Sequence, residues 1–150
     1  MHLGVAFAER LREQKRLGSA ALVGHSAGGH LALLAAGRAR LPVVALAAVS
    51  DLAESVRRRG PDSEPARFAG REVPVAANPI EQLPLGVPQI LVHGTADETV
   101  PVELSGRYAA AANGEARLIR LEGAGHFEPI DPQSREWPVV LDAIRTAVSR

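Results

Sequence analysis

Ala20-Ala21-Leu22-Val23-Gly24-His25-Ser26-Ala27-Gly28-Gly29-His30-Leu31-Ala32-Leu33 sets a short apolar run, a serine between glycines and a helix-forming run in immediate succession. Strand, sharp turn and helix in that order are the setting of a G-x-S-x-G nucleophile elbow, in which the serine is held in a strained backbone conformation with its hydroxyl above the sheet edge. Gly24 and Gly28 are expected to give the turn its room, because a side chain two residues before or after the serine would meet the opposite limb. The helix that leaves the turn aims unpaired N–H groups at whatever lies beside the hydroxyl and favours a developing negative charge; Ala27 N–H is the first such donor. In its plainest reading the same pattern is a glycine-rich turn that binds an anion or packs closely.

Outward from this stretch, the pattern is that of an α/β chain. His2 to Arg16 reads as an amphipathic helix ended by Gly18, with Leu3, Phe7 and Leu11 on one side. Ala20–Val23 is the first strand, Ala27–Arg38 the helix after the elbow, and Pro42–Val49 a second strand. Both strands are apolar on both faces, as in a covered parallel sheet. Gln89–His93 and Ala116–Leu121 read as a third and a fourth strand, with a helix over Pro101–Ala112 between them and a closing helix over Val139–Val148. Between strands two and three, residues 51–86 carry Pro61, Pro65, Pro74, Pro79 and Pro84 with no sustained periodicity, and are expected to form an irregular, cap-like insertion. Within it, Asn78-Pro79-Ile80-Glu81 has the signature of a short helix start. The expectation is one domain over 1–150, with a mostly parallel sheet of about four strands and flanking helices.

Composition removes several function classes. Seventeen basic and seventeen acidic residues cancel, so neither a nucleic-acid nor an acidic-lipid partner is expected. Arg57-Arg58-Arg59 is the one basic run, read as a solvated helix face. The absence of cysteine rules out disulfides, thiol catalysis and cysteine-ligated metal, and suits a cytoplasmic setting. No apolar run approaches the roughly 18 residues of a membrane span. Neither a metal nor an organic cofactor is expected.

In an open parallel sheet, ligands sit beyond the C-terminal strand ends. Ser26 follows the first strand, Asp97 the third and His126 the fourth, in the chain order Ser, Asp, His. Ser26 needs a base as it attacks, and histidine is the side chain whose ordinary pKa suits that near neutrality. Asp97 would fix the His126 tautomer and stabilise the imidazolium. Asp51, at the end of the second strand, is the rival acid. His25 and His30 belong to the elbow, and His93 is expected half-buried at a strand end.

Gly24-His25-Ser26-Ala27-Gly28-Gly29-His30-Leu31-Ala32-Leu33, His93-Gly94-Thr95-Ala96-Asp97 with Val100-Pro101, and Gly123-Ala124-Gly125-His126-Phe127 together resemble the α/β-hydrolase superfamily. Within it the chain is similar to the esterase/lipase branch that holds carboxylesterase-like and kynurenine-formamidase-like enzymes, with prolyl-oligopeptidase-like peptidases as neighbours. The resemblance implies a serine hydrolase acting on a carboxylic ester or small amide. It also implies further strands ahead of the elbow and a His-Gly-Gly loop supplying a second oxyanion donor. Neither is found before Ser26, so the chain is expected to be the C-terminal half of such a domain, a truncated or mis-started form. Loss of one donor costs on the order of 100- to 1,000-fold in turnover. The first strand would then be an open edge. The competing reading is a silent fragment or an interaction module that pairs, with a second copy or a partner chain, through that edge.

Overall fold

The computed structural model describes residues 19–70 and 72–149. The helix expected over His2–Arg16 lies outside the described residues. Four strands form one all-parallel sheet in chain order: β1 (Leu22–His25), β2 (Val43–Leu46), β3 (Gln89–Gly94) and β4 (Ala116–Leu121). Leu22 pairs with Val43, Val43 with Gln89 and Gln89 with Ala116, so the strands begin level and deliver their C-terminal ends to one edge. Five α-helices accompany them among the described residues: α1 (Ala27–Ala39), α2 (Leu52–Arg59), α3 (Glu64–Ala69), α4 (Val102–Ala111) and α5 (Trp137–Val148).

Alternation along the strands divides the core into two layers. Val43, Ala45 and Leu91 face one way and pack with Ala32, Leu33 and Ala36 of α1 and Tyr108 of α4. Val44, Leu46, Ile90 and Val92 face the other way, onto Val140, Ala143 and Ala147 of α5. Because both faces are covered, the central strands read as unbroken apolar runs. β1 has a strand neighbour on one side only among the described residues, and Val23 on it is 45% exposed.

Residues 51–86, expected to be irregular, contain α2, α3 and two turns of 3-10 helix, Val75–Ala77 and Pro79–Gln82. Side chains anchor the segment. Asp51 accepts from the Glu54 N–H at 3.1 Å, capping α2, and its other oxygen accepts from Arg107 Nε at 2.9 Å. Asn78 precedes a helical turn as expected, yet its Oδ1 caps nothing there: it accepts from Leu52 N–H at 2.8 Å and ties the end of the segment to its start.

A polar network crosses the core where β3 begins. Tyr108 donates to Gln89 Oε1 at 2.7 Å, both side chains being fully buried. Gln89 Nε2 donates to Glu115 at 3.1 Å, and Glu115 also accepts from Leu85 N–H at 2.8 Å. Burial, with Glu115 nearby, pushes the Tyr108 hydroxyl well above its usual pKa, so it stays a donor. Tyr108→Phe strips Gln89 Oε1 of its donor inside the core, and urea unfolding should show a loss of about 1–3 kcal/mol.

Candidate active site

The elbow is built by close approach. Ser26 sits at φ 53°, ψ −121°, a left-handed backbone that serine adopts only where its surroundings impose it. A Cβ placed on Gly24 would lie 2.2 Å from the carbonyl oxygen of Gly28, and one on Gly29 would lie 2.7 Å from Ala48 Cβ and 2.9 Å from Gly24 O. At Gly28 itself nothing lies within 4 Å, so the room expected of Gly24 and Gly28 is in fact needed at Gly24 and Gly29. The first turn of α1 rotates residue 28 outward and residue 29 onto the end of β2. Ser26 N–H is held by Leu46 O at 2.8 Å, and α1 starts with His30 N–H on Ser26 O at 3.0 Å. The amides of Ala27, Gly28 and Gly29 therefore have no acceptor within the helix.

Asp97, 8% exposed, follows β3 in a turn that fixes its carboxylate. Oδ1 accepts from the N–H groups of Thr99 at 2.8 Å and Val100 at 2.7 Å. Oδ2 accepts from His126 Nδ1 at 2.7 Å. With its proton on Nδ1, His126 keeps the Nε2 lone pair free to act as a base. The loop carrying His126 comes down on the end of β3: Ala96 N–H donates to Ala124 O at 2.9 Å, and a Cβ on Gly94 would lie 2.2 Å from that same oxygen. The rival acid, Asp51, is occupied by Glu54 N–H and Arg107.

Two further histidines belong to this cluster, and their roles escaped the sequence reading. His93, expected half-buried, is 0% exposed. Its Nδ1 accepts from the Ser105 hydroxyl at 2.7 Å, its Nε2 donates to Val100 O at 2.9 Å, and that same Nε2 lies 3.2 Å from Asp97 Oδ2. It therefore braces the acid from below. His25, inside the elbow, donates from Nε2 to the backbone carbonyl of His126 at 2.8 Å and sets its ring 4.7 Å from the His126 ring. One residue thus links the turn that holds Ser26 to the loop that holds His126. A histidine directly before the serine and another ending β3 were the available signals, but alone neither says what its ring will touch.

Beside Ser26 and Ala27 opens a cavity of about 200 Å³, bounded by Val49, Leu52 and Phe68 and by His30, whose Nδ1 is bonded to Val49 O at 2.9 Å. A larger hollow of about 610 Å³ lies at the opposite ends of the strands, around Pro42 and Pro88, away from these side chains.

The sequence matches the family described as serine hydrolase over residues 6–146. The chain belongs to this family. Among curated proteins none matches it. Solved structures similar to this serine hydrolase include the propionate-bound thermophilic esterase Est2 of the planctomycete Thermogutta terrifontis, 22% identical with a TM-score of 0.63 over 83% of this chain and 53% of that one. MGS-MChE2, an α/β hydrolase from a lagoon-sediment metagenome, is 20% identical with a TM-score of 0.64 over 93% and 66%. The monoacylglycerol lipase of Paleococcus ferrophilus is 19% identical with a TM-score of 0.63 over 97% and 74%. These likenesses establish the α/β-hydrolase fold, and the chain spans about half the length of Est2. No helix among the described residues is long and apolar enough to cross a membrane.

Two predictions follow from the geometry. Gly24→Ala should cost about 3 kcal/mol or more, because backbone must move, whereas Gly28→Ala should cost nothing and gain up to about 1 kcal/mol of helix propensity; chemical denaturation measures both. The second concerns acid stability. Burial, the largest influence in each case, pushes the imidazoles of His25, His30 and His93 below their ordinary 6.5. As pH falls through 6.5 the unfolded chain takes up protons that the folded chain still refuses, so stability declines with falling pH in that window. Glu54, held at about 2 by Arg57 and Arg58, adds its own loss only below its ordinary 4.5. The melting temperature should be level above pH 7 and fall from about pH 6.5, and His93→Gln should make that fall shallower whatever it does to the starting value.

Proposed function

We propose that this chain hydrolyses a carboxylic ester or small amide through an acyl-enzyme on Ser26, with His126 as base and Asp97 orienting it. The observation that carries the reading is the 2.7 Å Asp97–His126 pair at the sheet edge to which the strained Ser26 also belongs. His126 Nε2 takes the Ser26 proton as Oγ attacks the carbonyl carbon, and the tetrahedral oxyanion is met by the Ala27 N–H at the start of α1. Collapse expels the alcohol or amine, protonated by His126. Water, deprotonated by the same imidazole, then releases the acid and frees Ser26. The cavity beside Ser26 receives the acyl group, and residues 51–86, whose α2 and α3 contribute Leu52 and Phe68 to its wall, act as the cap. The esterase and lipase activities named for Est2 and the Paleococcus enzyme support this substrate class. No metal or cofactor takes part.

Among the described residues β1 has a strand neighbour on one side only, which favours a second reading, in which the chain is inactive and pairs through that edge. Labelling by a fluorophosphonate separates the two, because it reports an activated serine without the true substrate. Wild-type protein should label, and Ser26→Ala and His126→Ala should each abolish labelling. A folded wild-type protein that fails to label would overturn the hydrolytic reading.

A further inference from the structure

The basic run Arg57-Arg58-Arg59 is not one solvated patch. Arg57 donates twice to Glu54, from Nε and Nη2 at 2.6 Å each, and Arg58 Nε reaches the same carboxylate at 2.7 Å. Arg59 turns the other way. Its Nη1 donates to Thr99 O at 3.1 Å, two residues beyond Asp97, and it borders the cavity that opens on Ser26. Among the described residues it has no carboxylate partner, and one bond to a carbonyl leaves most of the five guanidinium N–H donors unused. Thr99 is itself fixed through its N–H on Asp97 Oδ1, so the arginine is moored to the loop that carries the acid.

Val49, Leu52 and Phe68 make much of the cavity wall near Ser26 apolar, with His30 a polar member beside them. An exposed cation at the mouth of such a hollow suits a ligand whose chain is apolar and whose far end is anionic, the guanidinium offering a charge-assisted, two-pronged hydrogen bond. Glu64 lies on the same wall and limits the negative charge the site accepts. With Arg59 and Glu64 cancelling in charge, a phosphate dianion is disfavoured more than a single carboxylate, which the guanidinium can bind locally. A cavity of about 200 Å³ holds a short chain.

Resting on the reading of Ser26 as nucleophile, we propose that the substrate is an ester or amide whose short acyl chain ends in a carboxylate held by Arg59. A dicarboxylic acid monoester is the simplest such molecule. The ester carbonyl lies at Ser26, the methylenes along Val49 and Leu52, and the carboxylate on the guanidinium.

Monoethyl succinate, glutarate and adipate, compared with ethyl butyrate, pentanoate and hexanoate, test this by exchanging a terminal carboxylate for a methyl group at constant length. At the best length, kcat/KM should favour the monoester by about 10-fold, the lower end for a charged hydrogen bond at a partly open site. Arg59→Gln should bring that ratio to about one, and Arg59→Lys, which keeps the charge without the fork, should retain part of it. No preference at any length, or a preference that survives Arg59→Gln, overturns the proposal. Binding is measured separately by titrating Ser26→Ala with monoethyl glutarate and following amide NMR shifts. Saturation that is lost when Arg59→Gln is added supports the carboxylate site even if no ester is turned over, and no shift at millimolar ligand overturns it. Failure of fluorophosphonate labelling, by contrast, strikes only the nucleophile.

Discussion

The turn at Ser26 depends on a distance that no side chain can occupy. The start of α1 crosses so close to β1 that a Cβ on residue 24 would lie 2.2 Å from a backbone oxygen, and the same turn presses Gly29 against Ala48 beyond the end of β2. Backbone in contact with backbone cannot be relieved by a rotamer change, so the strain at Ser26 is retained for as long as β1, β2 and α1 are packed. The apolar layer of Val43, Ala45, Ala32, Leu33 and Ala36 maintains that packing. The core's ordinary function of burying aliphatic surface thus keeps one serine in a conformation it would otherwise leave.

Asp97 is the electrostatic counterpart of that constraint. Its two oxygens meet two backbone amides and one imidazole, and a second imidazole stands 3.2 Å away. A buried carboxylate is tolerated only when its lone pairs are met in this way. Once they are, the carboxylate has no freedom to swing, and the ring bonded to it inherits that rigidity. His25 extends the arrangement to the backbone of His126, so the Ser26 turn, the Asp97 turn and the His126 loop are mutually registered by short polar contacts and not by loop stiffness.

What could be read from the sequence follows a physical division. β2 and β3 read as apolar runs because both their faces are covered, and Ala116–Leu121 is bounded correctly by its own alternating pattern. β1 was misplaced by two residues, since its limits are set by pairing with Val43–Leu46, and local apolarity cannot register a partner 21 positions away. The helices of 51–86 stand out poorly from the sequence because α2 is only eight residues, little more than two turns, and is held by its cap Asp51 and by Asn78 and Arg107 from farther along the chain. Gly28 and Gly29 look alike in a motif, and only the rotation of α1 distinguishes them. The candidate chemistry was legible through strand-end position. The imidazoles that brace it were not, because their partners are a carbonyl and a hydroxyl that sequence cannot bring near.

The strand order also has a consequence for how the chain acquires its shape. Leu22 meets Val43, Val43 meets Gln89 and Gln89 meets Ala116, so no strand finds its partner within about twenty residues. Hairpins, which close quickly and locally, are absent from the sheet, and each pairing must first bring distant chain together at an entropic cost that rises with loop length. The widest gap lies between the two central strands, and the segment inside it is drawn together by the Asn78–Leu52 bond. That contact shortens the effective loop between β2 and β3, making a bond within the intervening segment an aid to closing the sheet beneath it.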